Sequence, residues 1–318
     1  MAEPEPLVSV ILTVYKRLTY FADALRSVEA QTFQDYEVVV ADDSGTGAAR
    51  ALSLASGNSR IRYHANPTSL GVALSLRTAL AQARGKYIAI LNDDDLWEPE
   101  FLARLVRPLE ANPDRVLAFC DHFIIDAHGA IDESATDRNT KQFGRSNLPE
   151  GDLADPKSFV LRENGVPLAM GALFRAAALP SERLVRDVAG AYDFWISSLL
   201  AASGGRFFYV PVRLTRYRVH AEMETVRRDP EKIRCLAFIA RSLLAEPAFS
   251  DQRAYLTTWI ASLTTRAGRD YLYFDRIAEA RRAFIAAFRV SPGWKPLAGY
   301  LLSIAPARLR KAAGVTAA

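Results

Sequence analysis

Cysteine is almost missing from these 318 residues: there are two, Cys120 and Cys235, far apart. Their separation shows no metal-type spacing and leaves reduced structural thiols in a cytosolic protein as the expectation, with a disulfide as the weaker alternative. Long apolar runs are also missing. No stretch approaches the roughly 20 apolar residues of a spanning helix, so a soluble or peripheral protein is expected. The first apolar run, 7–14, follows no basic segment and is broken by Ser9 and Thr13, so it reads as a strand and not as a signal peptide. There is no large excess of one charge: 40 Lys and Arg against 36 Asp and Glu leave +4. That balance argues against a nucleic-acid binder. Glycine is absent from TVYKRLTY, 13–20, the turn after the first apolar run. A dinucleotide-binding oxidoreductase needs glycines there. Nor is there a glycine-rich basic N-terminal loop to hold the triphosphate of a nucleotidyltransferase.

Half the residues are apolar, enough for a full-sized core in two domains or in one with an appendage. Short β-rich runs at 8–14, 36–41, 61–64 and 87–91 alternate with helix-period segments at 20–31, 48–56 and 71–84. This is the pattern of a parallel sheet covered on both faces. Beyond it we expect a helix at 101–111, strands at 117–120, 171–174 and 206–212, and a helix at 191–203. The polar stretch 126–158 reads as a loop or lid. After about 225 the strands stop and helices at 229–244, 252–268 and 277–288 follow. The segment 267–292 looks like one helix pair of a tetratricopeptide repeat, which alone is a packing element.

In such sheets ligands sit at the carboxyl ends of the strands. Polar clusters end three of them: Thr13 to Arg17, Asp42 to Gly45, and Asn92 to Asp95. The last lies in LNDDDLW, 91–97, where three carboxylates close an apolar run. Neighbouring carboxylates repel unless something positive sits among them, and a divalent cation with oxygen ligands is a common solution. An acidic turn capping the next helix is the other reading.

The ordered set VSVILTVYKR (8–17), VVVADDSG (38–45), LGVALSLRTALAQARGKYIAILNDDDLW (70–97), AYDFW (191–195) and YRVH (217–220) resembles a family 2 glycosyltransferase of the GT-A fold. The resemblance runs over 7–220. It implies an α/β fold with a mostly parallel sheet flanked by helices: a catalytic domain at 1–224 and a C-terminal helical region at 225–318. The implied activity is transfer of a sugar, with inversion, from a nucleotide-diphosphate-sugar to the hydroxyl of a saccharide or lipid-linked saccharide. The implied cofactor is Mg²⁺ or Mn²⁺, and the implied setting is cell-surface polysaccharide or glycan biosynthesis.

The resemblance also assigns residues. Asp94 falls at the metal-ligating position; Asp95 is a further metal candidate or a helix cap; His220 is a candidate for the metal or the diphosphate, with Arg216 and Arg218 nearby as anion partners. Asp93 is a candidate for the ribose hydroxyls, Asp42 and Asp43 for the nucleoside, and Thr13, Tyr15 and Arg17 for base and ribose. Arg77 and Arg218 are candidates for the diphosphate. The family motif begins with Asp where this chain has Asn92, and the family's Glu-Asp pair before the aromatic is missing from Gly190-Ala191-Tyr192-Asp193. Asp193 is then the expected base, with Asp187 as fallback. These two departures keep open a glycosyltransferase-like binding or scaffold protein without catalysis. The basic and apolar residues of 294–318 fit an interfacial helix, so peripheral contact with the cytoplasmic face of a membrane is expected. A helix packed on its own domain shows the same periodicity.

Overall fold

The computed structural model describes residues 5–221 and 230–312. The chain divides into two compact units, Met1–Arg186 with Tyr192–Met223 and Asp187–Ala191 with Glu224–Ala318. The boundary expected at 224/225 lies outside the described residues.

In the first unit, β1 (Val8–Val14), α1 (Leu18–Glu29), β2 (Tyr36–Asp42), α2 (Ala49–Ala55), β3 (Ile61–Ala65), α3 (Val72–Leu80) and β4 (Tyr87–Asn92) alternate. The first four strands lie in the order β3-β2-β1-β4 and all pair in parallel. β1 and β2 are almost wholly buried, as strands covered on both faces must be. α1 covers one face with Phe21, Ala24, Leu25 and Val28, the i, i+3, i+4, i+7 stripe of an amphipathic helix. The register sets Val14 beside Asp42 and Thr13 beside Asn92. The polar ends of three strands therefore meet on one edge.

The unit continues with β5 (Leu96–Trp97), α4 (Phe101–Ala111), β6 (Arg115–Ile125), α5 (Glu133–Gln142), β7 (Gly151–Asp152), β8 (Ala172–Arg175), a helix Tyr192–Ala202 and β9 (Arg206–Arg218). β8 runs antiparallel between β4 and β6, and β9 pairs in parallel with β6. Two strands are longer than expected. β6 passes through Asp121 and His122, polar residues that end the apolar run in sequence but are buried in the fold. β9 extends to Arg218, and its antiparallel pairing with β5 brings YRVH to the acidic turn.

The expectation of a loop or lid at 126–158 is corrected. α5 and β7 lie inside it, and Asp132 caps α5 by accepting from Ala135 N at 2.8 Å. Of α5 only Thr136 is buried, so no apolar periodicity announced the helix. The segment is also anchored. Arg145, its side chain 1% exposed, donates to Asp121 Oδ1 at 2.9 Å, to Gly165 O at 3.0 Å and to Asn139 Oδ1 at 2.6 Å. Arg145→Ala would leave the buried Asp121 carboxylate without its closest cation, with Thr140 Oγ1 at 2.7 Å and Arg213 Nε at 3.7 Å still beside Oδ2. A loss of about 3–5 kcal/mol is expected, read from the midpoint of urea unfolding.

The second unit is helical: Pro230–Ala245, Arg253–Tyr273, Ile277–Val290, Trp294–Ile304 and Ala307–Ala312. Its core includes Ile233, Ala240, Ile260, Leu272 and Phe284. The Phe284 ring fits because Gly268 and Gly299 lack side chains; a Cβ at either would stand 2.7 or 2.2 Å from it. The segment 294–318, expected to fit an interfacial helix, holds two helices up to Ala312, and 313–318 lie outside the described residues. Pro306 forces Ala305 into an extended conformation, φ −70° and ψ 152°, which ends the first helix. Both cysteines are free and buried, and burial pushes the Cys120 thiol up to about 12. Among the described residues no helix is long and apolar enough to cross a membrane.

Candidate active site

After β1 the chain turns sharply. Lys16 takes φ 67°, a left-handed conformation that costs a non-glycine residue roughly 1–2 kcal/mol. The turn aims two groups at the end of β4. Tyr15 N donates to Asp93 Oδ2 at 2.9 Å, and Arg17 bridges two carboxylates, with Nη2 2.5 Å from Asp93 and Nη1 2.7 Å from Asp94. Arg17 loses hydration here, which lowers its pKa, but the Asp93 and Asp94 charges outweigh that and hold it above its ordinary value. Burial pushes the Asp93 carboxyl up to about 6, against the pull of Arg17 and with the help of Asp94.

Asp94 is the most open of the three carboxylates, its side chain 13% exposed. Its Oδ2 also faces His220 Nε2 at 3.1 Å. The imidazole leans on the Tyr20 ring, centroids 5.1 Å apart. Asp95 is buried and accepts from Arg218 N at 3.0 Å. Burial and then the Asp94 charge hold its carboxyl well above the usual range.

Arg218 is buried as well, which sets it apart from an open anion partner. Its Nε donates to Asp94 O at 2.9 Å and its Nη1 to Ala127 O at 3.2 Å, and the guanidinium lies over Tyr20 at 4.6 Å. Arg218 thus clamps the acidic turn from beneath. Arg216 is committed to Glu98 at 2.6 Å.

Asp42 and Asp43 stand on the neighbouring strand end, and both carboxylates serve the fold. Asp42 accepts from Tyr63 OH at 2.6 Å and Ser44 N at 2.8 Å. These bonds outweigh its burial and hold its pKa below the ordinary value. Asp43 accepts from Asn66 Nδ2 at 2.8 Å, Ser69 Oγ at 2.9 Å, Leu70 N at 2.8 Å and Gly71 N at 2.9 Å. It thereby shapes the segment 66–71 that leads into α3. Tyr15 is 46% exposed and carries Lys16 over its ring at 4.9 Å. Arg77 is exposed on α3.

Asn92, where the motif departs, is fixed by two donors to one oxygen. Thr13 Oγ1 donates to Asn92 Oδ1 at 3.1 Å, and Tyr192 OH donates to the same oxygen at 2.8 Å. Sequence reasoning missed Tyr192, which reads as a core aromatic; the signal was its place beside Asp193 in a motif whose acidic pair is gone. Burial raises the Tyr192 pKa well above its ordinary value, with the charges of Asp193, Asp95 and Asp94 adding to the rise. Its hydroxyl thus ties β4 to the first turn of Tyr192–Ala202, which holds Asp193. Asp187 falls in the second unit, where its Oδ1 is 3.1 Å from Arg234 Nη1.

The donors suit a hard or borderline divalent ion. Asp94 offers oxygen and His220 nitrogen, 3.1 Å apart, close to the spacing of adjacent ligands each about 2.1 Å from a shared ion. Among the described residues no three His, Cys, Asp or Glu side chains form a cage. An ion held by these two groups can take further ligands from substrate phosphates, as Mg²⁺ does. Arg17 Nε is buried with no hydrogen-bond partner, so an unsatisfied donor stands beside the same carboxylates.

Residues 9–157 match the family model described as Glycosyl transferase family 2. The uncharacterized glycosyltransferase MJ1057 of Methanocaldococcus jannaschii is 27% identical over 223 residues, 68% of this chain and 71% of that protein. Other curated relatives are covered less fully; the chain spans 66%, 13% and 32% of the next three. Among solved structures, S. aureus TarS 1-349 in complex with UDP-GlcNAc aligns with a TM-score of 0.61 at 14% identity, covering 96% of this chain and 92% of that one. Mannosyltransferase PcManGT from Pyrobaculum calidifontis, in complex with GDP-Man and Mn²⁺, aligns at 0.57 and 19% identity, covering 98% and 84%. At those identities the likeness shows the fold.

Proposed function

The chain carries a glycosyltransferase family 2 domain with the GT-A fold, and from that premise we propose that it moves a sugar from a nucleoside-diphosphate sugar to an acceptor hydroxyl with inversion at the anomeric carbon. The acceptor class is a saccharide or lipid-linked saccharide, in the cytoplasm, for glycan or polysaccharide synthesis. Catalysis belongs to 1–224. The observation that carries this reading is the convergence of Asp94, His220, Arg17 and Asp93 at one edge of the sheet. The UDP-GlcNAc in TarS and the GDP-Man and Mn²⁺ in PcManGT support a nucleotide-sugar donor and a divalent cation.

Asp94 and His220 hold Mg²⁺ or Mn²⁺, which when bound neutralises charge that develops on the departing diphosphate. Arg17, its side chain 25% exposed, faces the donor diphosphate with its guanidinium and keeps Asp93 oriented. Asp93 faces the ribose, Tyr15 and Thr13 the base. Asp42 and Asp43 form the nucleoside wall through 66–71, and Arg77 approaches the diphosphate from α3. Asp95 and Arg218 fix the turn from within. Asp193 takes the acceptor proton on its carboxylate as the new C–O bond forms and the bond to the diphosphate breaks. A single displacement of this kind inverts the anomeric carbon.

Tyr192→Phe removes the hydroxyl between Asn92 and the Asp193 turn. The expected result is about 1 kcal/mol less stability and a lower kcat with donor KM unchanged; a rise in KM alone would place Tyr192 in donor binding. The test of the whole reading is incubation with UDP-, GDP- and dTDP-sugars plus Mn²⁺, following nucleoside diphosphate release and the anomeric configuration of the product. Release confined to one nucleotide class, with inversion, is the expected result. Ala191 in place of the missing acid favours one other reading, a nucleotide-sugar-binding protein without catalysis. Donor binding with no release from any sugar nucleotide would establish it.

A further inference from the structure

The end of the chain combines two features that sugar transfer leaves unused. From residue 280 to 318 there is no Asp or Glu, against seven Lys and Arg. Within that stretch the helix Trp294–Ile304 turns Pro296, Gly299 and Ser303 inward and leaves a stripe in solvent: Trp294 74% exposed, Leu297 49%, Leu301 53% and Ile304 52%. These lie at i, i+3, i+7 and i+10 on the side of the helix away from its packed face. Single exposed apolar residues need no explanation, but a continuous apolar row with charged neighbours marks an interaction site.

Six of the seven cations divide into two groups. Arg281 donates to Ser303 O at 3.1 Å, and Arg310 to Ala305 O at 2.7 Å, so both hold helices together. Arg282, Arg289, Lys295 and Arg308 are exposed.

We propose that this face rests on an anionic lipid bilayer. The apolar stripe enters the headgroup boundary, with the amphipathic Trp294 ring at the interface, and the exposed cations meet anionic headgroups. Interfacial helices carry this composition, and their hold combines buried apolar area with attraction to anionic lipid. Charge also argues against the simplest rival, a second copy of the chain. A two-fold dimer sets a patch against itself, which here would bring cations against cations with no carboxylate between 280 and 318 to pair them. The inference stands apart from the transfer chemistry, since binding to lipid can be read without turnover.

The test is sedimentation of the full chain with vesicles of phosphatidylcholine, with and without phosphatidylglycerol, at low and high salt. The wild type should pellet with the anionic vesicles and be released by salt. Leu297→Glu with Leu301→Glu should weaken binding by about tenfold or more, with thermal unfolding unchanged because both side chains are already half in water. Should that pair fail to fold, changing Arg282, Arg289, Lys295 and Arg308 to Gln touches only exposed cations. Each cation near an anionic surface strengthens attachment about fivefold, so that variant should lose binding more than a hundredfold. No binding of the wild type to anionic vesicles overturns the proposal, as do unchanged affinities in folded variants. A wild-type dimer that the Glu variant dissolves, with no vesicle binding, would assign the face to self-association instead.

Discussion

Asp94→Ala is expected to lower kcat/KM for sugar transfer by about three orders of magnitude, in the range seen when one preorganised charge-stabilising group is removed from an active site. Asp94 Oδ2 is where the site converges, 2.7 Å from Arg17 Nη1 and 3.1 Å from His220 Nε2. Without that carboxylate the cation loses its only proposed oxygen ligand from the chain, while Arg17 keeps Asp93 as its partner. The loss should therefore fall on the barrier more than on the fold, because stabilisation of the departing diphosphate grows towards the transition state. Two controls separate the effects. Asp94→Asn keeps the shape and removes the charge, and should be impaired nearly as much. Added Mn²⁺ should raise wild-type turnover and leave both variants almost unchanged. Turnover of Asp94→Ala within tenfold of wild type would remove Asp94 from the chemistry.

Asp193→Asn should slow transfer by about 10²–10⁴-fold, the range for loss of a positioned general base, while donor affinity stays at the wild-type value. Its backbone site is secure: Asp193 occupies the first turn of Tyr192–Ala202, and its carbonyl accepts from Ser197 Oγ at 2.9 Å. A carboxylate there is also favoured by the helix dipole, so the substitution carries a small stability cost that a base need not have. The comparison that decides is between Asp193→Asn and Asp187→Asn. Asp187 is engaged with Arg234 in the second unit, and its variant should keep nearly full activity. A severe defect in Asp187→Asn, with Asp193→Asn close to wild type, would exchange the two roles.

Much of the fold was legible in the sequence because burial on both faces leaves a plain mark. The runs 8–14, 36–41 and 87–91 are mostly apolar, interrupted only by Ser9, Thr13 and Glu37, and each extends to within one residue of the observed strand. β6 and α5 were harder for opposite reasons. In β6 the buried polar residues Asp121 and His122 hid the second half of a strand, since their partners lie elsewhere in the chain. In α5 a surface helix with one buried residue offered no periodicity to read.

The site shows the same division. That the carboxylates of 93–95 should lie near 13–17 followed from strand ends meeting on one edge; that 220 should join them was implied by the family resemblance alone. What each side chain does there did not follow, because it is set by tertiary partners. Arg218 looks like an anion binder in YRVH, yet its guanidinium faces backbone carbonyls and Tyr20. Asp43 looks free to read a nucleoside, yet four donors converge on it. Tyr192 looks like core, yet its hydroxyl meets Asn92.

The measurement that tests the central claim most directly is a thermal-shift screen of the purified protein against UDP, GDP and dTDP and their sugars, each with Mn²⁺, Mg²⁺ or EDTA. A ligand at about 100 times its dissociation constant adds roughly 2.7 kcal/mol to the folded state, a shift of several degrees for domains of this size. The account predicts stabilisation by one nucleotide class, present with the cation, reduced by EDTA and lost in Asp94→Ala. A folded wild-type protein that no nucleotide stabilises, or one stabilised equally with EDTA and in Asp94→Ala, would contradict it.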